Sequence, residues 1–543
     1  MIPKRSVGLI LAVITTMLVV ANQQEVGLAR DEIVYMQNGM RYADWWIGLV
    51  KLEHGISKQS ITRTFGGPGA TDNNREHPPL MKTLFGLSQR LAHEKLGVDE
   101  VTAFRLPSAV MQGVLVLLVF SMVFALWGFL EAIVASLLIA FLPRAMFHAS
   151  LACFDAPIMT LWFATVYAYW RCLDGRKWPW QAGVAFGLAL ATKHNALLLP
   201  FALGVHYLVA GVLSARAKQL RAGAFAREVL LHRWRIIVSL AVVGPATLFV
   251  LWPWLWFDTY AHLKQWLVFH LTHVHYNFEY LGMNWNAPRF PWHIALVTTL
   301  FTVPVVTLAG SAVGAGVWIA KRRESPDRLR APALLLALSA AASVGPFFLG
   351  TTPIFGAEKH WMPALPTLCI AAGVGIAWCA RGLASRSRHR TPIIATFASV
   401  VVLAAVVETA TAQPYALTWY NALAGGAPGG ADHGMNRQFW GVAARGALPV
   451  LARLAPANGT APVYSHDASP AWGFYQKLGL LPKSLPDAGH EEAGIARSKL
   501  AIVIHERHFN RHDYLIWKSY GTVQPIYVVR ANGVPIVSIY RRP

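Results

Sequence analysis

The chain has 543 residues, of which 55% are hydrophobic and 14% charged, and its mean hydropathy is +0.40. Soluble domains carry about 25% charged residues, so disordered, collagen-like and disulfide-scaffold chains are excluded and a polytopic membrane protein is indicated. The net charge of +21 would point to nucleic acid only if the basic residues gathered on a polar body. Their positions show that they do not.

A membrane-crossing helix needs about 20 mostly apolar residues, because backbone polar groups cannot stay unpaired in lipid. About eleven such runs occur in chain order. They lie at roughly 7–27, 106–128, 130–146, 157–172, 180–192, 195–213, 236–257, 294–320, 331–350, 361–380 and 391–412. The fourth and fifth are short and need neighbours to shield them. The first, with Lys4-Arg5 before it and Val19-Val20-Ala21 near its end, also fits a cleavable signal. The chain holds 21 Trp and 16 Tyr, residues that populate membrane interfaces. Cys153, Cys172, Cys369 and Cys379 sit in or beside apolar runs, with no disulfide or zinc spacing.

Loop charges orient the runs. Lys4 and Arg5 precede the first. Arg171, Arg176 and Lys177 follow the fourth, and Arg216, Lys218, Arg221, Arg227, Arg233 and Arg235 the sixth. Lys321, Arg322, Arg323, Arg328 and Arg330 follow the eighth, and Arg381, Arg386, Arg388 and Arg390 the tenth. With alternating spans all of these fall on one side, which the positive-inside rule makes cytoplasmic. The N-terminus is then cytoplasmic and the C-terminal region extracytoplasmic, in a cytoplasmic (inner) membrane. The excess charge serves topology and anionic lipid, not nucleic acid.

Three polar bodies fall on the outer side: 30–105, 258–293 and the tail 413–543. The tail has β-branched runs at Ala461–Tyr464, Leu500–His505, Pro525–Val529 and Val534–Tyr540, with helix-like stretches between. This predicts a small α/β domain. The expected fold is therefore mainly α and polytopic, a membrane domain over 1–412 that includes the outer loop 30–105, and an extracytoplasmic α/β domain over 413–543.

The ionisable residues of the spans gather at their outer ends. A pump or ion-coupled transporter places charge at mid-membrane; this pattern instead indicates a reaction at the outer surface. Asp31 and Glu32 follow the first run, as helix-starting acids or as a general base at the membrane boundary. Glu76-His77-Pro78-Pro79 opens a helix, since Pro pre-sets a first turn, and Lys82 follows one turn on. His148 and Asp155-Ala156-Pro157 form a short outer link in which Asp155 is an N-cap, a second carboxylate, or both. Lys193 and His194, and Lys359 before the tenth run, either snorkel to headgroups or clamp a phosphate. His270, His273 and His275 invite a metal reading, but their spacing does not put all three on one helical face. Asn458-Gly459-Thr460 weakly matches a glycosylation acceptor.

Taken in order, Asp31-Glu32, Glu76-His77-Pro78-Pro79, His148…Asp155-x-Pro157 and Ala191-Thr192-Lys193-His194-Asn195 resemble the membrane glycosyltransferases of the GT-C fold. The likeness is to bacterial members of glycosyltransferase family 39, the protein O-mannosyltransferase family, and more distantly to the aminoarabinose transferases of lipid A. Tyr420-Asn421-Ala422-Leu423-Ala424-Gly425-Gly426 and Trp440-Gly441 add to it. The resemblance covers the first six runs well and the rest loosely. It implies a sugar carried on polyprenyl phosphate and transferred on the outer face, with inversion, to a glycan, lipid or protein hydroxyl. By position it makes Asp31 catalytic, with Glu32 and Asp155 as further acids. It places Lys193, His194 and the His77 region toward donor and phosphate, and the reading of the residues adds Glu76, His148 and Lys359 to that donor-binding set. Eukaryotic members carry a β-trefoil domain in a later loop, and no outer loop here is long enough for one.

The leaving group is already a phosphate ester, so no cofactor is required if protein cations meet the developing charge; a divalent metal is the less favoured alternative. The partners expected are the lipid-linked donor, membrane lipids and the hydroxyl acceptor. The rival readings are a lipid-linked sugar flippase without chemistry and a non-catalytic membrane scaffold.

Overall fold

Two prolines decide where apolar runs bend. Proline lacks the N–H of a helical bond and pushes the residue before it into extended backbone. Leu142, before Pro143, is extended, and helices Phe129–Ala140 and Pro143–Ala149 meet at 65°. Val303, before Pro304, is extended too, and Ile294–Thr302 meets Val305–Ala320 at 119°. The run 294–320 thus folds back on itself where its composition predicts one straight rod. The computed structural model describes residues 3–66, 74–173, 175, 178–320 and 330–543. Arg176, Lys177, Lys321, Arg322, Arg323 and Arg328 of the loop-charge pattern lie outside the described residues, as does the side chain of Arg330.

Every predicted run is largely helical, but among the described residues seven helices are long and apolar enough to cross a membrane, or nine if each bent pair is one span. The expected eleven included Asp155–Cys172, whose ends carry charge, and Trp180–Leu190, which is only 11 residues long. Helices approach closely through small residues. A Cβ on Gly314 would lie 1.9 Å from the Ala371 carbonyl oxygen, and one on Gly375 would lie 2.1 Å from that of Gly310. Such contacts replace the hydrophobic drive that is missing in lipid.

The first span, α1 (Ser6–Gln23), is tied to the helix after it by one buried arginine. Arg105 donates to the carbonyls of Gln23 (2.8 Å), Val26 (2.9 Å) and Gly27 (2.7 Å), and to both carboxylate oxygens of Glu32 (2.7 and 2.8 Å). It thereby satisfies carbonyls at and beyond the end of α1 and fixes the start of α2 (Arg30–Val50).

The segment 258–293 contains a small hairpin of β1 (Phe278–Tyr280) and β2 (Met283–Trp285). The C-terminal body carries a sheet of β3 (Val463–Ser465), β4 (Leu500–Ile504), β5 (Tyr527–Ala531) and β6 (Val534–Arg541), in the order β3-β4-β6-β5. β3 is parallel to β4, and the other pairs are antiparallel. Asn532 and Gly533, both at positive φ, turn β5 into β6, as two-residue hairpins demand. One face, with Ile502, Ile504 and Ile539, shares a core with Ile33 and Met36 of α2 and with Phe147 and Leu151. The other face, with Ala501, Val503 and Tyr540, packs on the helix Asn510–Tyr520. The α/β body is thus seated on the first long loop through a common core.

Candidate active site

Asp31 and Glu32 are neighbours with opposite surroundings. Ala29 is extended, and Glu32 Oε2 accepts its N–H at 3.1 Å, a capping-box bond that starts α2. Glu32 Oε1 also accepts from the Ala152 N–H at 2.7 Å. With Arg105 on both oxygens, the fully buried Glu32 is saturated. The sequence puts it beside Asp31 among the catalytic acids; in the structure its carboxylate is turned inward by the helical rotation between adjacent positions and does not line the cavity that Asp31 faces. Asp31 is 30% exposed, accepts from Trp440 Nε1 at 2.9 Å, and meets Arg30 Nε at 3.5 Å. Trp440 holds φ at +69°, a strained value for a bulky residue. Its carbonyl accepts the Arg30 N–H at 3.0 Å. Trp440 and the start of α2 therefore grip each other twice.

Asp31 faces a cavity of about 590 Å³, within the usual range for ligand sites. Its walls come from α2 (Asp31, Tyr35), the Pro-Pro corner (Glu76, His77), the loop 269–277, and Phe355 and Phe439. The C-terminal body closes it with Asp467, Glu506, His508 and Phe509. Burial, with Lys82, pulls the His77 imidazole well below its ordinary value, so His77 is neutral. A separate apolar hollow of about 550 Å³, lined by Phe186, Leu203, Tyr207 and Leu240 among others, shares no lining residue with it.

Beside the cavity lies a buried ionic network. Lys193 Nζ donates to Asp155 Oδ1 at 2.7 Å. His148 sits between Asp155 (3.9 Å) and Glu358 (3.7 Å), and Glu358 pairs with Arg144 at 2.6 Å. Lys359 differs from these. Its ammonium lies 4.1 Å from the ring centroid of Trp440 and 4.6 Å from those of Phe355 and Phe439. Among the described residues it has no carboxylate within ion-pair distance. Burial, with Lys193 adding to it, pulls Lys359 down to about 8 against the fields of Asp155 and Asp31. Lys359 is thus a buried cation set against aromatic faces, two of which, Phe355 and Phe439, line the cavity.

The structure thus brings Asp31, Glu76 and His77 to one cavity, Asp155, Lys193 and His148 into the network beside it, and Lys359 behind the cavity's aromatic rings. His194 instead stacks on His270, with ring centroids 3.7 Å apart. The three histidines of 270–275 diverge: His270 bonds the Glu76 carbonyl, His273 stacks on Phe355, and His275 packs on Phe290. Among the described residues no group of three or more His, Cys, Asp or Glu is placed to hold a metal ion. Sequence reasoning missed Arg30, Asp467, Glu506 and the Arg144–Glu358 pair. Asp467, which accepts from Arg30 Nη1 at 2.8 Å, lies just past β3, and an acid at a strand end was the one visible signal.

Residues 76–232 match the family model described as dolichyl-phosphate-mannose-protein mannosyltransferase. No curated protein matches the chain. Among solved structures, ArnT from Cupriavidus metallidurans bound to undecaprenyl phosphate shares 16% identity over 98% of each chain, with a TM-score of 0.48. The archaeal oligosaccharyltransferase AglB from Archaeoglobus fulgidus, in complex with an inhibitory peptide and a dolichol-phosphate, shares 12% over 95% of this chain and 71% of that one, with a TM-score of 0.47. Glu76, His77, His148, Asp155, Lys193 and His194 all fall inside the stretch that matches the family model, and over those residues the chain is similar to the dolichyl-phosphate-mannose-protein mannosyltransferases, in line with the GT-C, family 39 resemblance of its motifs.

Proposed function

We propose that this protein is an inverting glycosyltransferase that moves a sugar from a polyprenyl-phosphate carrier to an acceptor hydroxyl at the outer face of the cytoplasmic membrane. The observation that carries the reading is the pairing of Asp31, open to the cavity, with Lys359, held behind the cavity's aromatic wall. The acceptor hydroxyl enters the cavity and Asp31 takes its proton as the oxygen attacks the anomeric carbon. The bond from that carbon to the phosphate oxygen breaks, and polyprenyl phosphate leaves with the electron pair. A single displacement inverts the anomeric centre. Lys359, behind the aromatic wall, contributes its positive field to the charge on the departing phosphate. In the network beside it, Asp155 holds Lys193 and Arg144 neutralises Glu358. The prenyl tail lies against the apolar helices below.

A positioned base contributes typically about 10²–10⁴-fold. Asp31→Asn keeps an oxygen for Trp440 Nε1 and removes the basic site. In liposomes supplied with undecaprenyl-phosphate-linked hexoses and pentoses, it is expected to lose about 10²–10⁴-fold in release of undecaprenyl phosphate while melting like the parent. Full turnover by this variant refutes the assignment of the base. Translocation of the donor by the parent protein, with no glycosidic product, refutes the enzyme.

A further inference from the structure

The wall that the C-terminal body gives to the cavity is chemically unlike the side that meets the donor. It presents Asp467 and Glu506, both buried, beside the rings of Phe439 and Phe509. Asp467 is already paired with Arg30. Glu506 is not satisfied in the same way. It is only 4% exposed, its Oε1 has no hydrogen-bond partner, and its other oxygen has only His508 Nδ1 at 3.6 Å. A buried carboxyl oxygen with nothing to bond costs free energy, and Glu506 is one of the residues that line a cavity large enough for a ligand. Burial, with Asp467 and Glu279 nearby, pushes the Glu506 carboxyl well above its ordinary value. In its protonated form such a carboxyl both donates and accepts.

From this we propose that the acceptor is a neutral glycan, held on the C-terminal body by hydroxyls bonded to Glu506 and Asp467 and by a sugar face laid on Phe439 or Phe509. The proposal rests on the transferase reading and names the substrate class of the same site. Three features point to a polyol rather than a phosphate-bearing acceptor or a peptide. Carboxyl groups exchange hydrogen bonds with hydroxyls, and they supply no positive charge to hold a phosphate. Among the described residues the only guanidinium on the cavity wall, that of Arg30, is already paired with Asp467 and Asp31. Two flat apolar rings, Phe439 and Phe509, line the same cavity as the acids, which suits the C–H face of a pyranose. Glu506 and Asp467 are then specificity-determining residues, whereas Asp31 is the catalytic one.

The test is acceptor binding without donor, so that its failure differs from failure of the transferase reading. The full chain in nanodiscs is titrated with neutral methyl di- and trisaccharides, with a threonine-containing peptide and with a glucosamine phosphate, followed by tryptophan fluorescence. The expected result is saturable binding of a neutral saccharide. Glu506→Leu is expected to weaken it by at least about tenfold, as when a hydrogen bond from a buried site is lost. The same variant is expected to melt at or above the parent temperature, because it removes an unpaired buried carboxyl. A merely structural glutamate would show the reverse. Asp31→Asn is expected to bind the saccharide normally and transfer nothing. Binding of the peptide or the phosphate alone, no binding of any neutral saccharide, or unchanged affinity in Glu506→Leu overturns the proposal.

Discussion

Arg105→Met tests whether the position of the base depends on a clamp far from the chemistry. Arg105 is fully buried and makes five hydrogen bonds, two to Glu32 and three to the backbone at and beyond the end of α1. Methionine fills part of the volume and donates nothing. Glu32 would keep only the N–H groups of Ala29 and Ala152, leaving an uncompensated buried carboxylate. Removing one partner of a buried ion pair costs about 3–5 kcal/mol. At about 2–4 °C per kcal/mol or less for chains of this size, the melting midpoint should fall by roughly 5–15 °C. Glu32→Leu alone should cost a similar amount. The double variant should cost less than the two together by about 2 kcal/mol, since each removes the other's unpaired charge. Thermal unfolding of all four proteins in one detergent gives the cycle. Additive effects, or single variants within about 1 kcal/mol of the parent, would show that the clamp is not a coupled unit.

Three further outcomes are expected at the site. Lys359→Met suits an aromatic cage, so it should melt like the parent while the donor KM rises about tenfold or more, as expected for a lost charge-assisted bond. Lys359 sits near 8 and not in the ordinary lysine range, so its charge is present below that pH and lost as pH rises through it. Donor KM should therefore climb above about pH 8, and Lys359→Arg, which stays charged, should flatten that limb; a pH-independent KM in the parent counts against the phosphate role. Gly27→Ala would put its Cβ 2.1 Å from the Val442 carbonyl oxygen, so it should cost about 1–3 kcal/mol by overpacking and lower kcat disproportionately, because Arg30 and Trp440 shift with it.

The helices were legible because lipid demands long apolar runs, and the β-strands of the tail because β-branched clusters mark them. β4, expected over Leu500–His505, forms at Leu500–Ile504, and β6, expected over Val534–Tyr540, forms at Val534–Arg541. The span count was less legible: Pro304 stands plainly in the sequence, but its 119° bend depends on how the two halves pack. In the site, Glu76, His77, Asp155 and Lys193 could be picked out by motif order. The roles of Glu32 and Trp440 could not. Glu32 is defined by Arg105, 73 residues away, and Trp440 by Asp31, 409 residues away. No local pattern encodes such pairings; they exist only after the bundle and the C-terminal body have closed on each other.

The bond between Trp440 and Asp31 also has a consequence for biogenesis. Asp31 leaves the ribosome 409 residues ahead of the indole that bonds it, and strand β6 of the supporting sheet is made later still. A nascent or truncated chain can insert its helices and still be inert. The site of the proposed function is therefore complete only once the C-terminal body has been synthesised and has met α2.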